Sequence, residues 1–219
     1  MLPVLPEPNL RGVIDSWVNP ASKMHTSWFV GVPEEKLIRR LVHEGKATVS
    51  LQESLAEVYP WIRSAPALEN SAVWPLHVVG LSSGHLRRLA LMAGCSMCSL
   101  QIRHIVKREE RQVIVEALGE AIYEFAIKRA GFMTPLVECI EEPLRATCPS
   151  DVRQEIFLLG SKMINDSLEE SSDFLRFRVT SRFPKHSHEQ VKTAVNSGKR
   201  KREPKKEQGL RRIFLESLK

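Results

Sequence analysis

No run of about 18 apolar residues occurs in this chain, so no transmembrane helix is expected. The first nine residues, Met1–Asn9, contain three prolines and no basic stretch, which is unlike a secretory signal peptide. A cytoplasmic location is the default expectation. The chain has no H-E-x-x-H and no G-x-S-x-G, the helix and elbow signatures of zinc hydrolases and serine hydrolases. Its one glycine-flanked loop, Gly80–Gly84 (G-L-S-S-G), lacks the Lys-Ser/Thr that a phosphate loop requires. The paired acids Glu109/Glu110, Glu141/Glu142 and Glu169/Glu170 are adjacent in sequence and read as solvated faces, with no positioned second acid. The seven histidines are scattered: His77, His85 and His104 lie near expected helices, and His186 and His188 lie near the C-terminus. Each reads as structural or surface. These absences point away from an enzyme, and no cofactor is expected.

Cysteine is also sparse. Cys95, Cys98, Cys139 and Cys148 are the four present, and in a cytosolic protein they are expected as free thiols. Cys95-Ser96-Met97-Cys98 is a C-x-x-C pair, which can offer two thiolates to zinc from one turn. The site would have to be completed by Cys139, Cys148, His85 or His104. Cys139-x8-Cys148 is not a zinc-ribbon spacing, and no βαβ pattern supports a redox role. The favoured reading is of small buried hydrophobes, with no metal.

What is present is amphipathic helix. Leu86, Leu89, Ala90 and Ala93 fall at offsets 0, 3, 4 and 7. After an expected break at Gly94–Ser96, Cys98, Ile102, Ile105 and Val106 fall at 0, 4, 7 and 8. Ile114, Ala117, Leu118, Ala121, Ile122 and Phe125 then form a third stripe. Three such stripes within Ser82–Gly131 must bury against each other or the rest of the chain. Gly119 predicts a kink or close helix contact, and Gly131, after Lys128 and Arg129, predicts a helix stop.

Around this centre, Met1–Pro33 reads as irregular, pinned by Trp17, Trp28 and Phe29. Pro33 at N1 predicts a helix to about His43, with Leu37 and Leu41 (and Ile38) inward and Gly45 as its stop. Ser50 and Glu53 form a capping-box pattern before a helix carrying Leu51, Leu55 and Val58 and ending before Pro60. Tyr59–Trp74 reads as a linker. Ser82 or Ser83 is expected to cap the next helix, and Ser150 or Asp151 a later one with a stripe of Val152, Ile156, Leu159 and Met163, widened by Gly160, Ile164 and Leu168. Phe174–Phe183 fits either a strand or a short basic helix. A helix or extended closing segment is favoured, because no second strand is available for pairing. The fold class is all-α: one irregular helical domain, 1–184 with its core at 72–184, followed by a basic flexible tail, 185–219.

The net charge of +6 is concentrated in that tail. Lys185–Lys219 holds eleven Lys/Arg and four Asp/Glu, leaving the remainder near neutral. Lys199, Arg200, Lys201, Arg202, Lys205 and Lys206 are the candidate electrostatic contacts, to nucleic acid or another anionic surface. Lys185–Gly209 is expected to be disordered, and Leu210–Leu218 to form a short amphipathic helix that is marginal in isolation. A second basic group, Arg87, Arg88, Arg103, Lys107 and Arg108, lies off the apolar stripes and is the candidate docking face for an acidic partner.

The succession W-P-L (Trp74–Leu76), H-L-R-R-L-A-L-M-A-G (His85–Gly94), Q-I-R-H-I-V (Gln101–Val106) and E-A-L-G-E-A-I-Y-E-F-A-I-K-R-A-G-F (Glu116–Phe132) resembles the YscK/SctK family of bacterial type III secretion accessory proteins. Leu159-Gly160-Ser161, and Arg176-Phe177-Arg178 through Phe183-Pro184, look like the family's last two pieces. The resemblance covers about residues 72–184. The first 70 residues match weakly, and the basic tail differs from the family's usual ending. The resemblance implies a non-enzymatic, mostly helical adaptor of the sorting platform beneath the injectisome. Its partners would be the cytosolic domain of an inner-membrane ring protein and the C-ring-like component. Its place would be the bacterial cytoplasm at the inner face of the inner membrane, in support of substrate sorting, export and virulence. The competing reading is a helical nucleic-acid-binding or regulatory protein acting through the tail.

Overall fold

The computed structural model describes residues 6–46, 49–63, 73–133, 144, 148–168, 171–185 and 204–218. Among these residues every regular element is helical and no strand occurs, so the fold is all-α. No helix among them is long and apolar enough to cross a membrane. The chain forms two compact units. Gly84–Ser167 and the C-terminal helix make the first; Pro6–Ser83 and the stretch after Leu168 make the second. This differs from the expected division at residue 184.

The first unit is built on α5, Ser83–Met97, and α10, Pro149–Asp166. α5 buries Leu86, Leu89, Ala90 and Ala93, as their spacing requires. It also runs through Gly94–Ser96, where a break was expected. The reason is tertiary: the two helices touch backbone to backbone. A Cβ built on Gly94 would lie 1.9 Å from the Ile156 carbonyl oxygen, and one on Gly160 would lie 1.7 Å from the Ala90 carbonyl oxygen. Glycine here makes room for a crossing rather than ending a helix.

Ser99–His104 (α6) and Arg108–Leu118 (α7) follow. Their core joins Leu91, Cys95, Cys98, Ile102, Ile114, Ala117, Leu118, Val152 and Ile156, with α7 packed on α10. Gly119 ends α7 outright with φ +78° and ψ 153°, a region essentially reserved for glycine, and Glu120–Phe125 (α8) restarts beyond it. One π-turn, Ala126–Ala130, leads into Gly131–Met133 (α9). Gly131 is right-handed (φ −64°) and does not stop the helix as expected. α10 begins one residue before the expected caps: Cys148 takes the N-cap position and Pro149 the first turn.

The C-terminal helix, α12, spans Pro204–Ser217, so it begins inside the stretch expected to lack structure. Leu210, Ile213 and Phe214 are buried, and α12 packs on α9. Glu216 pairs with Arg129. A helix marginal alone is stabilised by this apolar face. The helix expected at Leu210–Leu218 is present, the expected disorder is corrected for 204–209, and 186–203 lies outside the described residues.

The second unit closes on Trp28. Its helices are Leu10–Val18 (α1), Glu35–His43 (α2), Val49–Val58 (α3), Val73–Val79 (α4) and Asp173–Thr180 (α11), with 3₁₀ turns at Pro20–Lys23, Thr26–Phe29 and Pro60–Arg63; Trp28 shares its core cluster with residues of α2, α3 and α11. Trp28 meets the ring edges of Tyr59 (5.5 Å) and Phe177 (5.8 Å). Its indole donates to the Phe183 carbonyl at 2.8 Å, and the Tyr59 hydroxyl donates to the Trp28 carbonyl at 2.6 Å. Trp28 and Phe29 are thus the expected anchors; the Trp17 side chain lies outside the described residues.

α2 begins at Glu35, not Pro33, and buries Ile38 while Leu37 is exposed. It ends in a Schellman motif: Lys46 N–H bonds the Leu41 carbonyl, Gly45 N–H the Val42 carbonyl, and Gly45 is left-handed. Ser50 lies inside α3 rather than capping it. Phe174–Phe183 resolves as helix α11, capped by Ser172, whose side chain accepts from the Leu175 N–H. Two arginines of this segment are buried. Arg178 donates to the Ile62 carbonyl, and Arg182 to those of Val79 (3.1 Å) and Leu81 (2.7 Å). Burial lowers both guanidinium pKa values to about 10.

Candidate functional site

α5 turns one face to the core and carries Arg87 and Arg88 off it. α10 does the same with Arg153, one residue after the buried Val152. The break at Gly119 opens the corner where these two helices meet the α7–α8 junction. The result is an open cleft of about 350 Å³ lined by Gly84, Arg87, Arg88 and Arg153, with the partly exposed Ile122 at its wall and the buried Leu91 and Leu118 beneath. Glu120 is the cleft's one acidic residue.

The electrostatics are unbalanced. Among the described residues none of the three arginines is in an ion pair. Arg153 donates one Nη1 bond, 3.2 Å, to the Ala117 carbonyl at the end of α7, which fixes the guanidinium at the cleft. The Nε atoms of Arg88 and Arg153 are buried with no acceptor among the described residues. Burial of these nitrogens costs desolvation and places them out of a ligand's reach. Three cations against one acid, beside low-dielectric walls, focus a positive potential into the opening.

Only part of the expected docking group is assembled here. Arg87 and Arg88 line the cleft. Arg103 lies elsewhere, its guanidinium 5.6 Å from the Phe132 ring centroid and against Gly131. Lys107 is committed to Glu110 at 2.9 Å, and Arg108 is an exposed first residue of α7. Arg153 was not foreseen. Nothing local in the sequence distinguishes it from any polar position on an amphipathic helix. The facing glycines Gly94 and Gly160, which bring α5 to α10, are the signal that could have found it. Of the tail candidates, Lys199, Arg200, Lys201 and Arg202 lie outside the described residues. Lys205 and Lys206 fall in the first turn of α12, and their side chains lie outside them too.

Cys95 and Cys98 are buried, and desolvation, reinforced by neighbouring Cys98, pushes the Cys95 thiol above its ordinary range. A nucleophilic thiol needs the opposite shift. Cys148 is half-buried, 3.0 Å from the Ser150 hydroxyl, and Cys139 lies outside the described residues. Among the described residues no group of three or more His, Cys, Asp or Glu is placed to hold a metal. No family model matches the chain, and no curated protein or solved structure matches it.

Proposed function

We propose that the chain is a non-enzymatic helical adaptor of a bacterial type III secretion system. It would join the cytosolic domain of the inner-membrane ring protein to the C-ring-like sorting platform, peripheral to the inner face of the inner membrane. The observation that carries the adaptor reading is the arginine-lined cleft, which has the charge of a docking surface for an acidic partner: guanidiniums with no carboxylate partner among the described residues. The secretion-system context comes from the apolar succession over residues 72–184 alone.

The test is co-purification. The full chain is expressed with the ring protein's cytosolic domain, and separately with the C-ring-like protein, from the same bacterium. A defined complex with either supports the reading. Recovery of the chain without either, with both candidates folded, overturns it.

A further inference from the structure

We infer that the cleft between α5, α10 and the α7–α8 junction is a binding site for an acidic peptide segment, in which carboxylates flank an apolar side chain. The inference deepens the adaptor reading and rests on it for the partner being a protein.

Three features select this ligand. The first is charge. Arg87, Arg88 and Arg153 line one opening, and none has a carboxylate partner among the described residues. The second is placement. Arg153 is anchored through its Nη1 to the Ala117 carbonyl, which holds its guanidinium at the opening. Guanidiniums are favoured partners of carboxylates. The third is Ile122, a partly exposed apolar residue of the lining beside the guanidiniums, over the buried Leu91 and Leu118. A polyphosphate strand wants a continuous basic track and aromatic stacking surfaces. Here the lining has no aromatic ring, and Glu120 interrupts the positive rim. A peptide that alternates acid and leucine satisfies both the cations and Ile122.

Fluorescence anisotropy decides it. The probe is a fluorescein-labelled Glu-Leu-Glu-Glu-Leu-Glu peptide, titrated with the full chain. Its Gln-for-Glu analogue and a labelled oligouridylate are the comparison probes. The acidic peptide is expected to bind and to weaken as salt rises, because the cleft is open to solvent. R87E/R88E is expected to weaken binding about tenfold or more. If that variant fails to fold, as judged by circular dichroism, R87Q/R88Q replaces it and is expected to weaken binding in the same direction. Arg153 is left intact, since it also braces α7.

Equal binding of the acidic and Gln peptides, equal binding by wild type and the folded variant, or tighter binding of the oligouridylate would each overturn the inference. Co-purification with the ring protein's domain separates this failure from that of the adaptor reading. Wild type that captures the domain, with R87E/R88E capturing it equally, removes the cleft and leaves the adaptor. Wild type that captures neither platform component while still binding the acidic peptide removes the secretion assignment and leaves the cleft.

Discussion

Replacing Gly160 by alanine places a methyl carbon 1.7 Å from the Ala90 carbonyl oxygen, and real Cβ contacts do not fall below 3.0 Å. The obstacle is backbone, so no side chain can swing aside. α5 and α10 must part by more than an ångström. A radial gap of about 0.5–1 Å already forfeits a quarter to a half of the contact energy of the atoms that line it. Leu91 and Ile156, both in the core these helices share, each contribute roughly 1.5–3 kcal/mol by burial. Their partial loss, with strain of the kind that overpacking brings, costs about 3 kcal/mol. Against this stands about 1 kcal/mol gained, because alanine is the better helix former. G160A should therefore destabilise the first unit by about 2 kcal/mol. G94A should behave alike, its Cβ meeting the Ile156 carbonyl at 1.9 Å. The double variant should lose less than the sum, because the second methyl enters a gap already opened. All four tryptophans precede Ser83, so their fluorescence reports the second unit. Reaction of the buried Cys95 and Cys98 with Ellman's reagent, across a urea series, reports the first. A G160A chain whose thiols stay protected to equal or higher urea would refute the backbone crossing.

Other expectations follow from single contacts. Y59F removes the buried hydroxyl that donates to the Trp28 carbonyl, and should lower second-unit stability by about 1–2 kcal/mol in urea melts read by tryptophan fluorescence. R182K cannot fork to both the Val79 and Leu81 carbonyls. One buried acceptor is left unpaired, at about 1–3 kcal/mol by the same melt. The folded chain holds the Cys95 proton more tightly than the unfolded chain, whose thiol titrates near 9.0. Raising pH above 9.0 should therefore favour unfolding of the first unit, and C95A should flatten that slope in thermal melts at pH 8 to 10.5. An equally steep slope in C95A would count against the desolvated thiol.

Periodicity carried the sequence reading wherever the apolar residues were large and the partner helix was ordinary. Leu86, Leu89 and Ala90, then Val152 and Ile156, face inward as their spacing demands. It misled where small residues do the packing. Gly94–Ser96 reads as an interruption because glycine, alone on a helix, is destabilising; only the backbone of α10 gives it a purpose. Gly131 failed in the reverse sense, since a Lys-Arg pair before glycine fits a helix end equally well in a helix that continues. α2 buries Ile38 rather than Leu37, and it starts two residues later than Pro33. The half of the cleft on α5 was visible as off-stripe arginines. The half on α10 was not, because proximity across 65 positions of chain has no local imprint. Arg178 and Arg182 gave no warning of burial either: their partners are carbonyls, which every residue has.

The first unit's main segment is spliced into the chain of the second, and this orders events on the ribosome. Trp28 cannot meet the Phe183 carbonyl until 155 further residues have been made. At elongation speeds of about 5–20 residues per second that is a delay of roughly 10–30 s. Throughout it, the indole and the ring of Tyr59 wait without their closing partner. The intervening insert meanwhile leaves the exit tunnel without the C-terminal helix that completes its unit. A holdase chaperone that shields the opening segment during this interval would favour the yield of native protein more than one acting after release.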